Sequence, residues 1–259
     1  MDQIYIPKNR EGLGIGEYVI VRGVLGGEVR SEGEEIKSRR PFFYGVEEKI
    51  EGIKMRIIGE IFRIVDESEG KYENVIITGS FLDRGFGFND VDILLVGQGG
   101  GVEKIKKKIE SGIGIKGHVI LMGREELIKG VASDPLYLLM LSRFVARKRT
   151  SYNVKRKINY KLLDFYLLKS KVLLSGFDEL NGNEKYYLTR NMVAINLFVR
   201  GAKIGVEEIN SMIKKIFELG AIEKIKENMI DKKDFLKKYK KFYDETFELV
   251  MRGVGDGTK

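Results

Sequence analysis

From Val46 to about Asp66 the apolar residues Ile50, Ile53, Ile57, Ile58, Ile61, Phe62 and Val65 recur at helical spacing. That period predicts an amphipathic helix with one buried face, ending near "DESEG", where Gly70 is placed to cap it. Three short runs follow, "NVIITG", "DVDILLVG" and "GHVILMG". Each ends in glycine and is rich in Val and Ile, as strands buried on both faces are. Between the second and third, "VEKIKKKIESG" predicts a short helix. The order helix, strand, turn, strand, helix, strand describes a small sheet domain over residues 46–132.

After about Ser133 the pattern lengthens. "DPLYLLMLSRFVARKR" opens with a capping aspartate and a proline at the first helical position. Four more helical stretches follow, so residues 133–259 predict a bundle of about five helices. The first 45 residues are glycine-rich and β-like: "EYVIVRGVL" alternates, and "GGEVRSEGEEIKSRR" reads as a turn and a returning strand. Their glycines do not sit between a strand and a helix, so they make no dinucleotide fingerprint. The expected class is α+β: a small mixed sheet, with an N-terminal β-rich segment (1–45) and a C-terminal helical bundle.

With 259 residues, 43% hydrophobic and 32% charged, the chain is able to bury a substantial core. No apolar run reaches the roughly 20 residues of a membrane span, and "MDQIYIPKNREG" has neither a basic nor an apolar leader region. A soluble, cytoplasmic protein is expected. The absence of cysteine excludes disulfides and thiolate metal sites, and the single histidine, His118, excludes a His-rich zinc cluster. Abundant Lys, Glu and Ile with no Trp fits a thermophilic source. The net charge of +8 is uneven, because residues 151–259 carry 22 basic against 15 acidic side chains. Between Arg143 and Lys161 there are eight basic residues and no acid. That segment reads either as a contact for a polyanion such as RNA or as a solvated connection between helices.

The candidate chemistry lies in "VIITGSFLDRGFGFNDVDILLV". Asp90 and Asp92, two apart on a strand, point to one face and repel each other. Magnesium, held by one or two carboxylates plus substrate phosphates, removes that repulsion. The first strand ends in Gly79 and Ser80, a bend where a phosphate can approach the backbone and meet a hydroxyl. The competing reading makes Asp90 a strand cap and pairs Asp92 with a Lys or Arg of the sheet. Arg84 reads either as a phosphate contact or as a partner of Asp83 or Asp90.

These residues resemble the DNA polymerase β-type nucleotidyltransferase superfamily, in particular its small prokaryotic and archaeal members, over about residues 46–122. The shared pattern is a hydrophobic strand, Gly-Ser, about ten intervening residues, then Asp-hydrophobic-Asp, with Arg84-Gly85 and "NDVD" fitting as well. The resemblance implies a nucleoside triphosphate held at Gly79, Ser80 and Arg84, with magnesium on Asp90 and Asp92. It implies transfer of a nucleotidyl group to a hydroxyl, with release of pyrophosphate. The family generally adds a third carboxylate on a neighbouring strand, but "GHVILMG" has none. His118 stands near that place, either as a metal ligand or proton acceptor or as a packed side chain. Glu125, Glu126 and Asp164 are further candidate acids. A basic bundle favours RNA or protein over a small cationic acceptor. The alternative is a catalytically silent nucleotide- or nucleic-acid-binding module. Tyr160, Phe165, Tyr166, Tyr186 and Tyr187 fall at helical spacing as core residues or as stacking platforms, and Arg190 and Asn191 as cleft residues.

Overall fold

The structure, a computed structural model, describes residues 40–46, 50–151, 154–218 and 220–256. The strands expected in "EYVIVRGVL" and "GGEVRSEGEEIKSRR" lie outside the described residues. The chain divides into two units, Met1–Ile36 and Lys37–Lys259, and every described residue belongs to the second.

A five-stranded mixed sheet is followed by a run of helices, an α+β architecture. The strands are β1 (Phe42–Tyr44), β2 (Tyr72–Thr78), β3 (Asp90–Gly97), β4 (Lys116–Met122) and β5 (Phe144–Ala146), in the order β1-β5-β2-β3-β4. β2 runs antiparallel to β3 and β5, whereas β3 and β4 are parallel, joined through helix α2 (Val102–Ile113). On one face Val75, Ile77, Val91, Ile93 and Leu95 pack under α2 and α1 (Gly52–Asp66). On the other, Ile76, Leu94, Val96 and Met122 gather with Leu127 of α3 (Arg124–Ser133) and with Phe144.

Two helical expectations need correction. In α1 Ile58, Ile61, Phe62 and Val65 are buried as expected, but Ile53 is 47% exposed and Lys54 is fully buried. The helix expected across "DPLYLLMLSRFVARKR" stops after α4 (Pro135–Met140), and its tail becomes β5. Thr78 explains the stop: its hydroxyl, at 2.5 Å from the Met140 carbonyl and 3.0 Å from that of Arg143, ties the emerging chain to the end of β2. Phe144–Ala146 then fills the sheet between β1 and β2, buried throughout. The sheet thus takes in Phe42–Tyr44 and Phe144–Ala146, on either side of residues 46–132.

Beyond β5 the bundle consists of α5 (Tyr160–Ser175), α6 (Gly182–Val199), α7 (Val206–Phe217), α8 (Ala221–Lys226) and α9 (Lys232–Asp256). α6 is its axis, buried on nearly all sides from Asn191 to Phe198. A capping box between Asn181 and Glu184 starts it. Asp134 links the layers, capping α4 through the Leu136 N–H at 2.8 Å and accepting the Tyr166 hydroxyl of α5 at 2.8 Å. Tyr160, Tyr166 and Tyr186 pack against the bundle core, as expected for core aromatics, whereas Phe165 and Tyr187 are exposed. No helix among the described residues is long and apolar enough to cross a membrane.

Candidate active site

β3 presents four side chains to one face: Asp90, Asp92, Leu94 and Val96. The last two are buried, and the first two are half-exposed at the strand's start. The register places Thr78 beside Asp92 on one side and His118 beside it on the other. His118 Nδ1 lies 3.1 Å from Asp92 Oδ1. The Asp90 carboxylate makes no hydrogen bond or ion pair with another described residue. Lys116 is its register partner on β4, without an ion pair.

Gly79 follows β2 with φ of 83°, the left-handed region that glycine tolerates. A Cβ at this position would collide with the Asp92 carboxylate. The glycine bend and the second acid are therefore in direct contact, and the bend serves as the seat for Asp92. Ser80 begins a single 3-10 turn, Ser80–Leu82, and is exposed, as is Arg84. Arg84 does not hold Asp83, which instead pairs with Arg143.

The loop between the bend and β3 is anchored by residues that sequence reasoning passed over. Lys54 reaches from α1 beneath the loop, donating to the Asp83 carbonyl and lying 3.1 Å from the Glu51 carboxylate. Its ammonium sits 5.8, 5.5 and 5.4 Å from the ring centres of Phe81, Phe86 and Phe88. A fully buried lysine needs such compensation: one carboxylate, one carbonyl and three ring faces. Glu51 in turn accepts the Gly85 N–H at 2.7 Å, which holds its carboxyl below the usual glutamate range. The available signal was three phenylalanines within eight residues, opposite a Glu-x-x-Lys pair.

The basic segment is partly consumed internally. Arg143 pairs with Asp83, Arg147 with Asp66 while donating to the Tyr72 carbonyl at 3.0 Å, and Arg156 donates to the Ala202 carbonyl at 2.6 Å. Lys148, Arg149, Lys155, Lys157 and Lys161 are exposed. Glu125 and Glu126 are exposed in the first turn of α3, and Asp164 is exposed on α5. Asn191 is buried on α6, and neither its side-chain oxygen nor Arg190 Nε has a hydrogen-bond partner among the described residues.

Among the described residues, no group of three or more His, Asp or Glu side chains gathers as a ligand set. The residues present fit a more open magnesium site. Asp90, which has no partner among the described residues, and Asp92 two residues on supply the one or two carboxylates that magnesium takes when phosphates and water complete its shell. Comparisons of the chain with protein-family models, with curated proteins and with solved structures return no match.

Proposed function

We propose that this protein is a magnesium-dependent nucleotidyltransferase, working at the start of β3 on a nucleoside triphosphate. The observation that carries the reading is the seating of Asp92 against Gly79 while Asp90, on the same face, has no partner among the described residues. Like charges at that spacing are costly unless something positive joins them. Asp90 and Asp92 would hold magnesium, which when bound neutralises charge on the reacting phosphate oxygens. Gly79 leaves room for phosphate oxygens beside the backbone, Ser80 offers its hydroxyl, and the exposed Arg84 offers a guanidinium fork. His118, turned through Nδ1 toward Asp92, presents Nε2 as acceptor for the proton of an incoming hydroxyl. The hydroxyl oxygen bonds to the α-phosphorus, the bond to the bridging oxygen breaks, and pyrophosphate leaves. RNA or a protein hydroxyl is the favoured acceptor class, with Lys148, Arg149, Lys155, Lys157 and Lys161 as the cationic surface for RNA.

A second reading is favoured by one observation: β4 sets an imidazole beside Asp92 where the resembled family generally carries an acid. A module that binds nucleotide without turnover has the same cradle. Pyrophosphate release with magnesium, a triphosphate and a panel of RNA and protein acceptors separates the two. Release that disappears in Asp90→Asn supports transfer. Metal-dependent binding with no release from any acceptor supports the silent module, and no binding at all removes both.

A further inference from the structure

A second surface lies on the bundle, independent of the strand site. On α5, Phe165, Leu168 and Val172 are 50%, 65% and 49% exposed, and Tyr187 of α6 is 51% exposed. At about 100° per residue the three α5 side chains fall within roughly 60° of arc, one stripe about 10 Å long. The Lys169 ammonium lies 4.4 Å from the Phe165 ring centre, and contiguous exposed apolar patches mark interfaces. Beside Val172 is an open hollow of about 740 Å³, whose wall combines Val172, Leu180, Tyr187 and Leu188 with the charged Lys169, Glu184 and Lys226 and with residues 181–183. On the opposite flank of the stripe stand Asp164 and Lys171, both exposed and neither in an ion pair with another described residue.

We infer that this face binds a second copy of the chain, α5 against α5, antiparallel about a twofold axis passing Leu168. The stripe is self-complementary about that residue. A twofold there brings Leu168 onto its own copy. It places Phe165, three residues before, next to Val172 of the second copy, four residues after, because the axis keeps each flank on its own side. Phe165 of each copy then enters the other's hollow. On the opposite flank the same operation sets Asp164 against Lys171 of the second copy, giving two symmetric ion pairs.

Other occupants fit less well. Phe165 and Tyr187 offer π-faces to a stacked base, but Leu168 and Val172 in the same patch do not, so a nucleic acid would leave the centre of the stripe uncovered. A foreign acidic helix would satisfy the lysines and leave Asp164 facing like charge. The second copy pairs Asp164 with Lys171, while Lys169 and Lys226 lie 4.4 and 4.5 Å from the ring centres of Phe165 and Tyr186 in their own chain.

Sedimentation equilibrium of the full chain tests this. The wild type is expected to dimerise in the micromolar range, and Leu168→Asp to weaken dimerisation about 100-fold or more. Asp164→Lys and Lys171→Asp should each weaken it about tenfold, and the double exchange should restore it to within about threefold. The chain has no cysteine, so Leu168→Cys supplies one thiol per copy on the axis. It should oxidise to a disulfide dimer, whereas Lys233→Cys, exposed on α9, should not. All of these positions are exposed, and an unchanged far-UV circular dichroism spectrum would show that the variants fold, since the melting temperature itself falls when a dimer is weakened. A chain that stays monomeric at about 100 µM, a dimer indifferent to Leu168→Asp, or a double exchange that fails to restore it would overturn the inference.

Discussion

β3 carries two environments on one face. Asp90 and Asp92 at its start are half-exposed, while Leu94 and Val96, continuing the same alternation, are buried with Met122, Leu127 and Phe144. Strand period alone puts all four side chains on that face; the covering differs. α3 and the end of α4 close over the distal half, leaving the proximal half open beside the Gly79 bend. Carboxylates are tolerated where the cover stops.

That contrast is open to graded attack. The largest effect is expected from Leu94→Asp, which moves a carboxylate two positions deeper, into a dry site without a partner. It should cost more than about 4 kcal/mol and leave little folded protein by urea denaturation. Lys54→Ala strips the loop of its buried anchor and leaves Glu51 and three rings around a void. A loss of about 3 kcal/mol is expected, with proteolytic sensitivity appearing first between Leu82 and Asp90. Gly79→Ala should cost about 2 kcal/mol, from positive φ and from displacement of Asp92. Its cost should shrink in an Asp92→Ala background, as a double-mutant cycle would show.

Smaller effects sharpen the comparison. Glu51 has its folded pKa depressed below the ordinary 4.5, mainly by the Gly85 N–H. Its contribution is therefore present above that value and is lost as pH falls through the depressed folded value. Protection of the Gly85 amide, taken relative to its intrinsic exchange rate, should fall as pH drops through that depressed value, and Glu51→Gln should remove most of that pH dependence. Smallest of all, Asp90→Asn should change stability by no more than about 0.5 kcal/mol, and toward stabilisation, since it removes one of two repelling charges. A loss above about 1 kcal/mol would mean that Asp90 is a structural residue.

Much of the site layer was legible in the residues. The strands around Ile76 and Leu94, the helix between β3 and β4, and the glycine bend before Ser80 all follow from periodicity and punctuation. The missing pieces are those in which distant segments decide local structure. Phe144-Val145-Ala146 is three residues long inside a helix-like run, and only pairing with Ile76 and Ile77 makes it a strand. Lys54 reads as solvent-facing in any apolar count, and only Phe81, Phe86 and Phe88 arriving from another segment make its burial possible. Arg143, Arg147 and Arg156 read as a polyanion contact or as a solvated connection, yet each binds an internal acceptor. Composition locates charge along the chain, whereas packing decides which charges still face outward.

Calorimetric titration of the full chain with a nucleoside triphosphate, with and without magnesium, bears most directly on the open half of β3. Binding should require the metal, and Asp90→Asn, despite its intact fold, should weaken it by about 100-fold or more. Binding that is equally tight without magnesium, or undiminished in Asp90→Asn, would contradict a metal-bridged phosphate site at these aspartates.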